Sequence, residues 1–446
     1  MITLQERVHS APKPDHWQLD KLHQVFRVRR GNKNTGMKED NLLSLSYGHI
    51  IQKDIETVGG LLPESFEGYQ IIEPGNIVLR LTDLQNDKRS LRQGLSTQRG
   101  IITSAYDAVE IQRDNDPRFW FYSLLALDLA KHYYSLSGGV RQSIKFAHFP
   151  NDWVYRPDLP TQRQIADFLD RETARIDLLI EKKQRLVALW NERIDAEVSS
   201  IVLQSDRPES ELGETGVDWL GHIPRSWQLS RVGWELQRIT YGFTNPMPTE
   251  DEGPFLLTAN DVNYGRILWE SARHTSQHAF DHDLTDKSRP RRDDVLLTKD
   301  GTLGRVAIHD GRHACINQSV ALLRPRKNRV TSEFLANVLL SRRYQDRMVF
   351  EAGGTTIKHI YITRLQKMPF PVPSLNEQQS INAKIDATRQ RVDLLSEKIS
   401  SSIDRLKEYR SALITAAVTG QIDVQTYAKS GTPDRRLDAI QEEMGA

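Results

Sequence analysis

The sequence predicts an α+β chain built twice. Two mixed α/β domains are separated by two long antiparallel helices paired as a coiled coil, and a pseudo-twofold internal repeat relates the halves. Three observations predict this. A 46-residue segment recurs at a constant offset. Both copies lack helix breakers inside and carry apolar residues at heptad spacing. The stretches between them alternate short apolar runs with turn residues.

The repeat comes first, because it decides the architecture. Residues 159–204 align with 375–420 at an offset of 216 without a gap, and 13 of 46 positions are identical. The densest run is Arg175-Ile-Asp-Leu-Leu-Ile-Glu-Lys182 against Arg391-Val-Asp-Leu-Leu-Ser-Glu-Lys398. Upstream, Phe119, Leu124, Leu125, Gly138 and Gly139 align with Phe334, Leu339, Leu340, Gly353 and Gly354. Trp17-Gln18-Leu19 recurs as Trp227-Gln228-Leu229. Between these anchors, roughly 25–115 and 235–330, the two halves show little similarity. A shared frame around divergent inserts implies one module carrying two specificities.

The repeated segments read as helices. Neither holds Gly or Pro inside, apart from Pro160 in the first turn and Gly420 at the end. Val392, Ile399, Leu406 and Leu413 fall seven apart, with Leu395 and Tyr409 between, and Ile176, Leu179, Leu186 and Trp190 are expected to form the matching seam of the first copy. Asp158 and Ser374 are aligned N-cap residues, Ser374 to Glu377 has capping-box spacing, and Gly420 suits a left-handed stop. At 1.5 Å per residue each helix spans roughly 65–70 Å. One apolar stripe on so long a helix requires a partner; the other copy supplies one within the chain, and a second molecule is the alternative.

The inserts read as strands and turns. Gln70 to Leu79 suggests strand, Pro-Gly turn, strand; 294–298 and 304–308 flank a Lys-Asp-Gly turn; 319–323 is a further strand. Asp116 with Pro117, and Thr331 in the aligned place, open the helix that follows each insert. Residues 205–218 are polar, lack apolar periodicity and read as a linker. The resulting layout is a first mixed α/β region at 1–157, a central helix at 158–204, a linker and second region at 205–373, a distal helix at 374–420 and a tail at 421–446.

Composition narrows the function. The length allows two or three domains. With 60 Lys+Arg against 59 Asp+Glu, no global basic charge argues for a polyanion partner. Cys315 is the single cysteine, which excludes an intrachain disulfide or a cysteine zinc cluster. No signal-like or membrane-spanning stretch is evident, so a cytoplasmic location is expected. Phosphate-cradling G-x-x-x-x-G-K-[ST] and G-x-G-x-x-G loops are missing. Asn245-Pro-Met-Pro248 lacks the second Pro and the aromatic of an adenine-methyltransferase motif. His274, His278 and His282 read as a solvated run and not as metal ligands, and Cys315 as a buried strand residue.

What remains is binding chemistry. Residues 88–106 hold no acid, and Lys88, Arg89, Arg92, Gln98 and Arg99 mix cations with amide groups. In the second half Arg291, Arg292, Lys299, Asn317 and Gln318 do the same. Such mixtures suit phosphate and base-edge contacts in DNA, or else belong to ordinary solvated loops. Local clusters would let a neutral chain bind a polyanion.

The whole pattern resembles the specificity subunit of type I restriction–modification enzymes. The resemblance rests on the helices opening Leu159-Pro-Thr-Gln-Arg-Gln-Ile and Pro373-Ser-Leu-Asn-Glu-Gln-Gln, the latter ending Ala416-Ala-Val-Thr-Gly420. It also rests on Trp219-Leu-Gly-His-Ile-Pro-Arg-Ser-Trp227 and on the late strand Asn317-Gln-Ser-Val-Ala-Leu-Leu-Arg-Pro325. The first half departs: it opens Pro14-Asp-His-Trp17 and has no stretch matching 317–325. The resemblance implies a non-catalytic chain whose two target-recognition domains each read half of a split, asymmetric site in double-stranded DNA. It implies that the helices space those domains and dock two modification (methyltransferase) subunits, which methylate adenine with S-adenosylmethionine. Restriction (endonuclease/translocase) subunits would add ATP- and Mg2+-dependent cleavage, so this chain would hold no cofactor and no metal itself. A coiled-coil scaffold without DNA binding, or an enzyme with an unrecognised site, are the rival readings.

Overall fold

The computed structural model describes residues 14–55, 65–82, 84, 91–112, 114–136, 143–353 and 358–442. Gly138, Gly139 and Gly354 of the repeat lie outside them. The chain divides into two compact units, Met1–Gln184 with Lys398–Ala446, and Arg185–Glu397. Among the described residues no helix is long and apolar enough to cross a membrane.

In the first unit, the strand Gln18–Lys21 pairs antiparallel with Trp153–Arg156, Gln18 opposite Arg156. The insert is built on a four-stranded antiparallel sheet in the order Phe26–Val28, Asp107–Ile111, Ile77–Leu79, Gln93–Leu95. The helix Pro117–Leu129 follows. Asp116 caps it by accepting from Arg118 N, with Pro117 at the first helical position, where its missing N–H costs nothing. Phe119, Trp120, Leu124 and Leu125 of this helix share one core with Ile77, Leu79 and Val109 of the sheet and with Ile165, Ala166 and Leu169 of the long helix.

The second unit repeats the plan. Gln228–Arg231 pairs antiparallel with Pro369–Val372. A four-stranded antiparallel sheet runs Leu236–Tyr241, Val320–Pro325, Val295–Thr298, Val306–Ile308. Thr331 caps the helix Ser332–Leu340 by accepting from Phe334 N. The two sheets are equivalent strand for strand. The strand missing from the first half as a sequence match is therefore present: Asp107–Ile111 occupies the place of Val320–Pro325. Gln70–Ile72 and Ile77–Leu79 are both strands, but not a hairpin. The former pairs with Gly100–Ile102 and the latter with Gln93–Leu95 and Asp107–Ile111.

The long helices span Leu159–Gln204 and Leu375–Val418. Asp158 Oδ1 accepts from Thr161 N at 3.0 Å and Ser374 Oγ from Glu377 N at 3.3 Å. Gly420 has φ +71°, and a Cβ there would lie 2.5 Å from Pro14 Cδ, so no other residue fits. In the first unit Ile176 shares the core with Leu406 and Leu413, and Asp177 Oδ1 meets Arg410 Nε at 2.9 Å. In the second unit the pair runs antiparallel: Asp206 reaches Lys384 and Arg207 reaches Glu377, while Trp190 and Ile194 lie beside Thr388 and Val392.

The seam needs one correction. Ile176, Ile399, Leu406 and Leu413 are buried, and Leu179, Val392 and Leu395 are half-buried. Leu186 and Trp190 are 40% and 39% exposed. The seam position of that turn is filled by Lys183, which is buried and whose ammonium pKa burial lowers. At about 100° per residue, Trp190, seven after Lys183, stays on the side of the helix that lies beside Val392, and Ile194, Val198, Ile201 and Val202 carry the seam on.

Two further stretches differ from the sequence reading. Within 205–218, Leu212–Glu214 is a strand paired with His222–Pro224. Within 421–446, Val424–Lys429 and Thr432–Glu442 are helices, and Val424 and Leu437 enter the first core. Asp423 caps the former by accepting from Thr426 N at 2.7 Å.

Candidate nucleic-acid interface

The four-stranded sheet of each insert holds one antiparallel strand pair next to singled-out cations. In the second unit the pair is Val295–Thr298 with Val306–Ile308; in the first it is Ile77–Leu79 with Gln93–Leu95. Backbone bonds establish the equivalence. Thr298 N donates to Arg305 O and Arg80 N to Arg92 O; Ile360 N donates to Lys299 O and Ile144 N to Leu81 O. Two of the cations singled out in the sequence, Arg92 and Lys299, therefore belong to the equivalent strand pair in the two units.

Their side chains meet different fates. Lys88 and Arg89 lie outside the described residues. Arg92 is fully buried: its Nη1 donates to Thr82 O at 3.1 Å and its guanidinium lies 5.7 Å from the Tyr134 ring centre. It is a core residue here, not a surface cation. Lys299 is 6% exposed, with Nζ 2.8 Å from Asp300 Oδ2 and 5.2 Å from the Tyr241 ring centre. Arg99 is exposed, yet it is bridged to Glu39 at 2.9 Å and Glu73 at 2.6 Å. Gln98 is half-buried, and its carbonyl accepts from Ser96 Oγ. Charge runs in a sequence do not separate these cases; burial and pairing do.

In the second unit the singled-out residues divide between the two ends of the sheet. Strand Val295–Thr298, about 13 Å long at 3.3 Å per residue, leads from Arg291 and Arg292 to Lys299. At the far end Lys287 and Lys299 flank Tyr241, 5.8 and 5.2 Å from its ring centre. Asn317 Oδ1 accepts from both Ser319 N and Ser319 Oγ, so Asn317 shapes the turn and leaves Gln318 exposed on it. Next to this end a cavity of about 430 Å3 lies between 243–247 and 283–288.

At the near end Arg291, Arg292, Arg326 and Lys327 line a cleft of about 530 Å3. Its floor is the bidentate pair of Arg324 with Asp294, at 2.7 and 2.6 Å. Those bonds raise the Arg324 pKa further. Arg291 pairs with Asp286 at 3.4 Å and Lys327 with Asp293 at 2.7 Å. Among the described residues no carboxylate reaches Arg292 or Arg326 within ion-pair distance. Guanidinium groups without a carboxylate partner in an open cleft have the geometry to pair with phosphate oxygens.

Sequence reasoning missed some surface cations. Residues 27–38 hold no acid, and Arg27, Arg30, Lys33 and Lys38 are exposed. The signal was there, in a run of cations at the end of a short strand. The three histidines do not share a helix face: His274 lies on a strand and His278 and His282 on the helix Gln277–His282. Cys315 is buried on the strand Ala314–Ile316, and burial raises its thiol to about 12.

Comparison with known proteins gives this geometry its context. Residues 251–405 match the family model described as the type I restriction modification DNA specificity domain. The specificity subunit of the type I restriction enzyme EcoBI of Escherichia coli is 21% identical over 331 residues, covering 72% of this chain and 69% of that protein. The putative type I restriction enzyme MjaX specificity subunit of Methanocaldococcus jannaschii is 24% identical over 212 residues, 46% of each chain. A solved chain, described with the complex assembly and conformational transition of the type I R-M system, superposes with a TM-score of 0.62 at 18% identity, covering 92% of this chain and 100% of that one. At that identity the likeness shows a shared fold. With its repeated frame and divergent inserts, the chain resembles the specificity subunits of type I restriction–modification systems, and its residues 251–405 carry their DNA specificity domain.

Proposed function

We propose that this chain is the non-catalytic sequence reader of a type I restriction–modification enzyme, each unit contacting one half of a bipartite, asymmetric site in duplex DNA. The observation that supports it best is the pairing of a matched DNA specificity domain at 251–405 with a first unit of the same sheet order and the same capped helices. Two readers on one frame suit two half-sites. Catalysis falls to the partners: modification subunits transferring a methyl group from S-adenosylmethionine to adenine, and restriction subunits using ATP and Mg2+. The work would be done in the cytoplasm, where the chromosome is accessible.

The outward side of the first long helix supports a protein partner. Leu186 and Leu189 are 40% and 53% exposed. Two exposed leucines three apart on a helix suit an apolar contact, and the modification subunits are its proposed occupants. The test maps methylated adenines genome-wide with and without this gene. Loss of one split motif on deletion supports the reading. Methyl transfer or cleavage by the isolated chain, or an unchanged methylome in cells that make the partner subunits, would overturn it.

A further inference from the structure

Inside the inserts, where the two halves share little sequence, one small element recurs. Leu43–Ser46 and His49–Gln52 form a hairpin with Ser46 opposite His49 and Tyr47-Gly48 at its tip. In the second unit Val262–Asn263 and Arg266–Ile267 form a hairpin with Asn263 opposite Arg266 and Tyr264-Gly265 at its tip. Both lie against the same edge strand of the equivalent sheets. Leu45 and Ile50 cover Gly94 of Gln93–Leu95, where a Cβ would lie 2.6 Å from Leu45 Cδ1. Gly265 N donates to Val306 O at 2.8 Å. Beneath them Leu43, Leu45 and Val78 pack in one unit, and Val262, Ile267 and Leu296 in the other. Val78 and Leu296 hold the same place in the two sheets.

The glycines are what a two-residue turn needs, with φ +84° at Gly48 and +79° at Gly265. The tyrosines are not. Tyr47 itself has φ +45°, a conformation that costs a non-glycine residue stability and that Asn or Asp would adopt more readily. Tyr47 is 73% exposed and Tyr264 61%. Neither hydroxyl has a hydrogen-bond partner among the described residues. Packing therefore explains the hairpins and leaves the two aromatic tips unexplained. Tyr264 falls inside the matched DNA specificity domain, and Tyr47 holds the equivalent place in the other unit.

We propose that Tyr47 and Tyr264 are a matched pair of DNA contacts, one per recognition unit, each set by its hairpin against the sugar–phosphate backbone. The inference rests on the DNA-reading function argued above. A tyrosine tip gives a rigid ring with a phenolic donor, a side chain that contacts phosphate and sugar without discriminating bases. The pairs just below the tips, Ser46 with His49 and Asn263 with Arg266, differ between the units. A common grip beside differing polar pairs fits readers of two unlike half-sites.

The experiment uses the chain assembled with its modification subunits and a labelled duplex carrying the mapped methylation motif. Tyr47→Ala and Tyr264→Ala should each weaken binding by about tenfold, equally on duplexes altered in either half-site, with melting temperatures unchanged. Tyr→Phe variants locate the contact: loss as in Ala assigns it to the hydroxyl, and wild-type affinity assigns it to the ring. Binding by both Ala variants within twofold of wild type overturns the inference while leaving the DNA-reading function intact. A loss confined to particular base pairs replaces the backbone contact with base reading and overturns it as well. A wild-type complex indifferent to the mapped duplex would instead sink the reading on which it rests.

Discussion

Gln378 makes the bonds that Gln162 makes. Gln162 Oε1 accepts from the N-cap amide of Asp116 at 2.9 Å, and its Nε2 donates to Pro157 O at 2.9 Å. Gln378 Oε1 accepts from the N-cap amide of Thr331 at 2.9 Å, and its Nε2 donates to Pro373 O at 3.0 Å. Both side chains are fully buried. Each stitches the first turn of a long helix to the start of the shorter helix before it, so one residue type at one aligned position locks the frame of each unit.

Replacing either glutamine by Leu should therefore destabilise its own unit by about 1–3 kcal/mol, the cost of leaving a buried amide N–H and carbonyls without partners. Guanidinium unfolding followed by tryptophan fluorescence checks this. Equal stability of Gln378→Leu and wild type would show that the stitch is incidental.

Gln93 is the opposite case. It is fully buried on the edge strand, and neither its Oε1 nor its Nε2 has a partner among the described residues. By sheet register its counterpart is Val306, also fully buried. Gln93→Leu should stabilise the first unit by about 1–3 kcal/mol, since it removes the desolvation penalty at nearly constant volume. Calorimetry reads this as a raised melting temperature; a lowered one would mean that the amide is satisfied in solution.

The frame was legible in the sequence because its signals are local. Caps at Asp116, Thr331, Asp158 and Ser374, the Trp-Gln-Leu openings and the heptads need no knowledge of tertiary structure. The inserts were legible only in part. Asp107–Ile111 shares no pattern with Val320–Pro325 that a reader could match; only its pairing with Ile77–Leu79 reveals the equivalence. The seam was legible except at Lys183, a charged residue that fills an inward site. Arg92 looked like a surface cation because its neighbours are cationic, whereas the ring of Tyr134 and the carbonyl of Thr82, distant in sequence or masked by polar surroundings, decide its burial.

Glu235 gives the second unit a pH dependence. Burial works to raise its carboxyl, but bonds from Arg329 at 2.7 Å and Ser230 at 2.6 Å outweigh this and hold it below the ordinary value of 4.5. A carboxylate depressed in the folded state adds stability above its unfolded pKa and loses it as pH falls through the folded value. At pH 7 Glu235→Gln should be less stable by about 1–3 kcal/mol, and the difference should shrink steadily below pH 4.5. Urea titrations at a series of pH values test this; a difference independent of pH would assign the effect to shape and not to charge.

Arg92 and Arg292 separate the two ways a cation can matter. Arg92 is fully buried, so Arg92→Ala should cost folding, about 2–3 kcal/mol for the stranded carbonyl and the lost packing. The dependence of DNA binding on salt should then stay as it was. Arg292 is exposed on the cleft between 291–294 and 324–328, so Arg292→Ala should change stability by less than about 0.5 kcal/mol. If its guanidinium meets a phosphate, the slope of log K against log salt falls by about 1, with no change in preferred sequence. Both quantities come from one set of measurements on the assembled complex: melting curves, and duplex binding at several salt concentrations. An unaltered slope for Arg292→Ala removes the cleft from the DNA surface. A reduced slope for Arg92→Ala at unchanged melting temperature would mean that this side chain leaves the core to reach the duplex.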